Sequence, residues 1–298
     1  MADQISNTEL LKNKALTVRL TRKKLNRNKM DKDLSNMVQE LKNVTDKSSV
    51  RVNKSLFPKE ATDKYQKVIT EAAKYFYRVT TPWDDKGFRL LSVDIYKDFV
   101  KTMKGHTRAF REAVMDFIEG FEGNIEAMKP VLGDAFNLSD YSEYLLSTGG
   151  VNREGLLEKF ALEVEYGTVS DGDDLRATLT ETDREVISAH ITEQNNKKFA
   201  KSQEHIITTL HEHIMAIHER LSKSENIFRD TLIGNLEDLC DIIPKMNIAN
   251  DPAIDALAAE AKATLCKFDA ATLREVPSIR EDVADEADKM LKGMEGLI

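Results

Sequence analysis

The sequence predicts a mainly α fold: an elongated helical bundle with a long helix near residues 182–221 and a small two-stranded antiparallel ribbon near the N-terminus. Three observations carry this. Glycine (13) and proline (6) are scarce in 298 residues, so breaks are few and elements long. Apolar residues recur every three or four positions through most of the chain, which lines them along one face of a helix. Thr182-Asp183-Arg184-Glu185 has the form of a capping box, and no glycine or proline follows it until Gly234.

Residues 5–16 read as a short helix carrying Ile5, Leu10, Leu11 and Ala15. The period then changes to two. Leu16, Val18 and Leu20 alternate with Thr17, Arg19 and Thr21, as in a half-buried strand. Val50-Arg51-Val52 is a second such stretch, and the two are expected to pair as the ribbon, with a helix over 31–44 between them. From Lys59 the pattern is helical: Ala61, Tyr65, Val68, Ala72, Phe76 and Val79 form one stripe. Thr80-Thr81-Pro82 ends it, because a residue before proline avoids the α region. Residues 83–87 are then a turn. The next helix is expected over 93–128, with Ile95, Phe99, Met103, His106, Phe110, Val114, Phe117, Phe121 and Ile125 on one face. Gly105, Gly120 and Gly123 each weaken it by about 1 kcal/mol relative to alanine and mark close packing or a bend.

Pro130, Gly133, Gly149-Gly150, Gly167 and Gly172 break residues 129–180 into short pieces, in which Asn152 caps a short helix carrying Leu156, Leu157 and Phe160. The acidic turn Asp171-Gly172-Asp173-Asp174 lacks the spacing and distal glutamate of a calcium loop. A helix unbroken from the capping box to Leu221 would span about 60 Å. Its first half is polar. Its second half carries Gln203, Ile207, Leu210, Ile214, Ile217 and Leu221 at alternating steps of four and three, a heptad-like seam for another helix. A helix over 224–243 ends at Pro244, Asn250-Asp251-Pro252 caps another, and Pro277 opens the last. Three regions follow: an N-terminal helical region with a basic segment (1–128), an irregular connection (129–180), and the long helix with a C-terminal helical region (181–298).

Charged residues make up 32% of the chain and the net charge is −8, which suits solvated helices and disfavours non-specific nucleic-acid binding by the whole chain. Cys240 and Cys266 sit in apolar helical patterns without CxxC or Cys/His spacing, so reduced core thiols are expected. The first residues lack the apolar core of a secretory leader, and no apolar run reaches membrane-span length. His205, His211, His213 and His218 miss the i, i+4 spacing of a zinc helix, so no metal is expected. Phosphate-loop, dinucleotide and nucleophile-elbow motifs are absent, and no catalytic residue or cofactor is expected.

The binding signal is charge. Lys12, Lys14, Arg19, Arg22, Lys23, Lys24, Arg27, Lys29 and Lys32 face a single acid, Asp31, between Leu11 and Lys32. Such a cluster neutralises phosphates or meets an acidic protein surface. No aromatic residue is interleaved for base stacking, so protein contact is favoured over nucleic acid. The second candidate contact is the helix–helix seam Ile207, Leu210, Ile214, Ile217 and Leu221.

The segments Phe228-Arg229-Asp230, Asn235–Leu239, Ile243–Ile248, Asp251-Pro252 and Phe268–Arg274 form a pattern, joined by Thr17–Leu25 and by Pro82-Trp83 before Arg89-Leu90-Leu91. It resembles the phage-associated family labelled domain of unknown function 3150. The resemblance covers most of the chain and is weakest over 129–180. It implies a tailed bacteriophage or prophage origin, expression in the bacterial host cytoplasm, and an accessory role beside MoxR-like AAA+ ATPases. The matching motifs are packing and capping residues, so no catalytic residue carries over. The expectation is a non-enzymatic protein that docks on such an ATPase or on copies of itself, with nucleic-acid binding through the basic segment as the alternative.

Overall fold

The computed structural model describes residues 7–170, 180–223 and 226–297. About two thirds of the chain is helical, so the fold is mainly α. It divides into two compact units, each built from non-contiguous segments: unit 1 from Met1–Arg19, Tyr75–Val100 and Glu165–Ile298, unit 2 from Leu20–Lys74 and Lys101–Val164. Ile5 and the acidic turn at 171–174 lie outside the described residues.

Unit 1 starts with α1 (Asn7–Lys14), which passes directly into β1 (Ala15–Lys23), as the change of period predicts. The expected pairing of 16–20 with 50–52 does not form. β1 instead pairs antiparallel with β5 (Arg89–Ser92), Ala15 opposite Ser92 and Val18 opposite Arg89. Burial explains the choice: Ala15, Thr17 and Val18 need apolar neighbours, and Leu90 and Leu91, both buried, supply them. With β4 (Thr81–Pro82) and β6 (Ala161–Gly167) the sheet order is β4-β5-β1-β6. The two-stranded ribbon near the N-terminus does exist, but it joins β2 (Asn28–Asp31) to β3 (Val52–Ser55).

The long helix α7 runs Glu181–Leu221. Its cap is Thr180, whose hydroxyl accepts from the Asp183 N–H at 3.2 Å, so the working box lies two residues before the expected one. Both T-x-x-D and T-x-x-E occur in TETDRE, and the helix takes the earlier. α7 packs against α8 (Thr231–Met246), α9 (Pro252–Leu265) and α11 (Pro277–Met294). α8 starts at Thr231, later than expected, and runs past Pro244, since a proline in the last turn forfeits one hydrogen bond only. Asp251 caps α9 by accepting from the Ala253 N–H at 2.8 Å, and Asp269 caps the short α10 (Ala270–Glu275). The C-terminal end of α7 is closed from the last helix. Arg280, 9% exposed, donates to the carbonyls of Leu221 (3.0 Å), Arg220 (2.8 Å), Asn226 (3.2 Å) and Lys223.

Unit 2 holds α2 (Lys32–Leu41), most of α3 (Lys59–Arg78) and α4 (Val93–Glu119), α5 (Phe121–Leu132), two 3-10 turns and α6 (Arg153–Leu157). The helix expected over 93–128 breaks at Gly120, where ψ is 5°, resumes at Phe121 as α5 and runs past Pro130 to Leu132. Asn152 caps α6 through the Gly155 N–H at 3.0 Å, as expected. An aromatic cluster fills the core: Phe57 meets Phe117, Phe121 and Tyr141 at ring separations of 5.2, 5.3 and 5.7 Å, and Tyr65 meets Phe117 and Phe160 at 5.4 and 5.2 Å. The mostly edge-to-face rings are the favoured aromatic packing.

Candidate binding surfaces

The residues of the basic cluster are divided between the two units. Lys12, Lys14 and Arg19 belong to unit 1, and Arg22, Lys23, Lys24, Arg27 and Lys29 to unit 2. Several are engaged within the chain. Arg19 pairs with Glu165 at 2.6 Å and lies 4.8 Å over the Phe88 ring. Lys24 donates to Gln66, Arg27 to the Ser55 hydroxyl, and Lys29 pairs with Asp140 at 3.2 Å. The run Arg22-Lys23-Lys24 is exposed at the end of β1.

The seam of α7 is covered by its own chain. Leu210, Ile214, Ile217 and Leu221 are buried and Ile207 is half-buried, with α8, α9 and α11 supplying the neighbours. A second copy would have to displace those helices to use it. His218 follows the same interface, its Nδ1 3.2 Å from the Ala284 carbonyl on α11. His205 is held below the ordinary histidine value by burial and then by Arg89. Burial pushes Cys240 up to about 12 and Cys266 up to about 11, which keeps both as thiols. Among the described residues no three of His, Cys, Asp and Glu converge to hold a metal, and no helix is long and apolar enough to cross a membrane.

Two surfaces stand out. The first is α2, whose apolar stripe is only partly covered. Leu34, Met37, Val38 and Leu41 share one face at i, i+3, i+4, i+7 spacing, and Met37 and Leu41 are 63% and 74% exposed. The buried residues are polar. Ser35 accepts from the Val52 N–H at 2.9 Å, and the Gln39 amide donates to the carbonyls of Lys47 (2.8 Å) and Val50 (2.6 Å). α2 therefore sits on the β2–β3 ribbon through hydrogen bonds, with Leu34 and Val38 half-buried and Met37 and Leu41 turned to solvent. Asp31 fixes this orientation. Its Oδ1 caps α2 through the Leu34 N–H at 2.9 Å, while its Oδ2 meets Lys54 Nζ at 2.7 Å. Lys54 also reaches Asp140 at 2.6 Å and the Ala135 carbonyl at 3.1 Å. Hydrogen bonds from Lys54 and from the Leu34 N–H hold Asp31 below the usual carboxylate value. Around the stripe the chain is basic: Arg22 to Lys54 holds ten Lys or Arg and four Asp or Glu, within a protein of net charge −8.

The second surface is a cleft of about 520 Å³ in unit 1, between the turn carrying residues 82–86 and one stripe of α7, Gln194, Lys197, Lys198 and Lys201. The turn is preorganised. Asp84 Oδ1 accepts from the N–H groups of Lys86 (3.0 Å) and Phe88 (2.9 Å), and Gly87 takes φ of 88° to reverse the chain. Thr81 and Ser202 share a buried hydroxyl–hydroxyl hydrogen bond of 2.5 Å that ties β4 to α7. Trp83 packs in a cluster with Leu11, Leu90, Phe199 and Ile248, and Lys198 Nζ lies 5.5 Å from its ring centre. The periodic lysines are readable in the sequence; the turn that faces them is about 110 residues away along the chain.

Comparison with protein-family models, with curated proteins and with solved structures finds no match to this chain in any of the three.

Proposed function

We propose that this chain is a non-enzymatic bacteriophage accessory protein of the host cytoplasm that works by docking on an acidic protein partner, a MoxR-like AAA+ ATPase. The face of α2 carries the reading: a ten-residue helix that leaves Met37 and Leu41 outward, held in place by Asp31, Lys54 and Gln39, in a basic stretch of an acidic chain. An exposed apolar patch with a polar rim marks an interaction site, and the charge selects an acidic rim on the other side. The ATPase is nominated by the family resemblance of the sequence.

The test is titration calorimetry of the intact protein against the purified ATPase of the same phage. Binding that Leu41→Lys abolishes and Leu41→Met preserves supports the proposal. No binding, or binding indifferent to Leu41→Lys, overturns it. A stable dimer that Leu41→Lys dissociates would reassign the face to a second copy, and attachment to anionic vesicles would reassign it to a lipid surface.

The exposed run Arg22-Lys23-Lys24 supports the second reading, nucleic-acid binding. Gel-shift affinity would then fall steeply with salt and vanish on charge reversal of these three residues. Salt-insensitive binding removes it.

A further inference from the structure

The cleft of unit 1 is independent of α2 and presents different chemistry. Four ammonium groups, from Lys86, Lys197, Lys198 and Lys201, line it against two carboxylates, Asp84 and Asp85. Among the described residues, Lys86, Lys198 and Lys201 have no carboxylate within ion-pair distance. Lys197 pairs with Glu193 at 2.6 Å, but both side chains are more than half exposed, so this contact exchanges readily. Like charges at i, i+3 and i+4 repel along a helix, so the stripe on α7 is a position that an anion relieves. Its size falls within the range of small-molecule sites.

We infer that this cleft binds an oligophosphate of mononucleotide size. The aspartates select the charge of the ligand. Their presence halves the net charge of the lining from +4 to +2, so a monoanion is held weakly and only an anion carrying several charged oxygens engages the four lysines together. Asp84 is already committed to the turn through two N–H groups. The cations are all lysines, point charges without the planar fork of arginine, so they follow phosphates of varied geometry. Lys198 over the Trp83 ring leaves no stacking face for a base. The phosphates are therefore what is recognised, and a nucleoside triphosphate and free tripolyphosphate share the chemistry.

Trp83 is the only tryptophan of the chain, so its emission reports on this cleft alone. The full-length protein is titrated with sodium tripolyphosphate, with ATP excited at the red edge of tryptophan absorption, and with citrate, and affinities are checked by calorimetry. Tripolyphosphate is expected to give a saturable change, with ATP binding within about threefold of it and citrate far more weakly. Each single substitution of Lys197, Lys198 or Lys201 by glutamine weakens binding roughly threefold and the triple substitution roughly thirtyfold. Lys289→Gln on α11 leaves it unchanged, as does Leu41→Lys on α2, and circular dichroism verifies that each variant is folded. ATP binding far tighter than tripolyphosphate would assign the site to nucleotides. Citrate binding as well as tripolyphosphate, no saturable change, or a triple variant that binds like wild type would overturn the inference.

Discussion

Replacing Lys54 by methionine tests whether the ion cluster under α2 is what holds that helix with Met37 and Leu41 outward. The ammonium sits 2.7 Å from Asp31 and 2.6 Å from Asp140, and the three side chains are 9%, 7% and 15% exposed. Methionine fills the volume and removes the charge. Breaking a buried pair on one side costs about 3–5 kcal/mol, because the remaining charge is left without its partner. Here Asp140 keeps Lys29 at 3.2 Å and Asp31 keeps the Leu34 N–H, so the expected loss lies at the lower end, about 3 kcal/mol. Urea unfolding followed by circular dichroism measures it.

The pH dependence gives a second readout. Asp31 is more acidic folded than unfolded, where it titrates near 3.8, so its contribution is complete above about pH 4 and lost as pH falls through the lower folded value. For Lys54, burial pulls downward, but Asp140 and Asp31 more than offset this and hold it above 10.5. Its contribution is complete below about pH 10.5 and lost only as pH rises through the higher folded value. Wild type is therefore insensitive to this cluster across the neutral range. In the variant, two carboxylates share the space that one ammonium left, and one takes up a proton more readily. The variant's deficit relative to wild type should therefore shrink as the pH falls into the carboxylate range. A loss under about 1 kcal/mol at neutral pH, the size of an exposed surface pair, or a pH profile parallel to wild type, would refute the reasoning.

Arg280→Met uncovers the carbonyls at the end of α7 and should cost about 3 kcal/mol in a urea titration, since hydrogen bonds to charged groups are the stronger kind. Gln39→Ala should cost about 2 kcal/mol and accelerate amide exchange over residues 42–51, whose carbonyls at Lys47 and Val50 lose their donor. Gly87→Ala should cost about 1 kcal/mol by thermal unfolding; the added Cβ meets only Arg19 Cδ at 3.9 Å, so the penalty is the left-handed backbone itself. Leu41→Ser, at a position 74% exposed, should change stability by less than about 0.5 kcal/mol while removing apolar area from the proposed docking face.

Much of the helical frame was legible because helical periodicity is a long signal. α3 matches its apolar stripe, α7 ends at the expected Leu221, and Asp251-Pro252 opens α9. The short strands were harder. β5, Arg89–Ser92, is buried at three consecutive positions, so it shows no alternation. β6 did carry a signal, with Leu162, Val164 and Tyr166 alternating with Glu163 and Glu165, but the glycines around it read as irregular chain. Strand pairing depends on which partner offers buried area, a property of neither strand alone. The binding surfaces show the same limit. Amphipathicity reveals that α2 has an apolar face and not which face is covered; that is decided by Ser35, Gln39 and Asp31 finding partners on β3, the 42–51 loop and Lys54. The apolar seam of α7 was visible, whereas its coverage by α8, α9 and α11 depends on chain that follows it.

The guanidinium of Arg280 reaches the end of α7 from 59 residues further along the chain. On the ribosome the long helix therefore emerges well before the group that closes it. Unit 2 is complete by Val164, more than a hundred residues before α11 of unit 1 has been made. A nascent chain stalled before Arg280 would expose the last carbonyls of α7 and the apolar seam that α11 covers. Synthesis of α11 thus supplies both the cover for the seam and the cap for the helix end, two roles that one truncation before Arg280 would remove together.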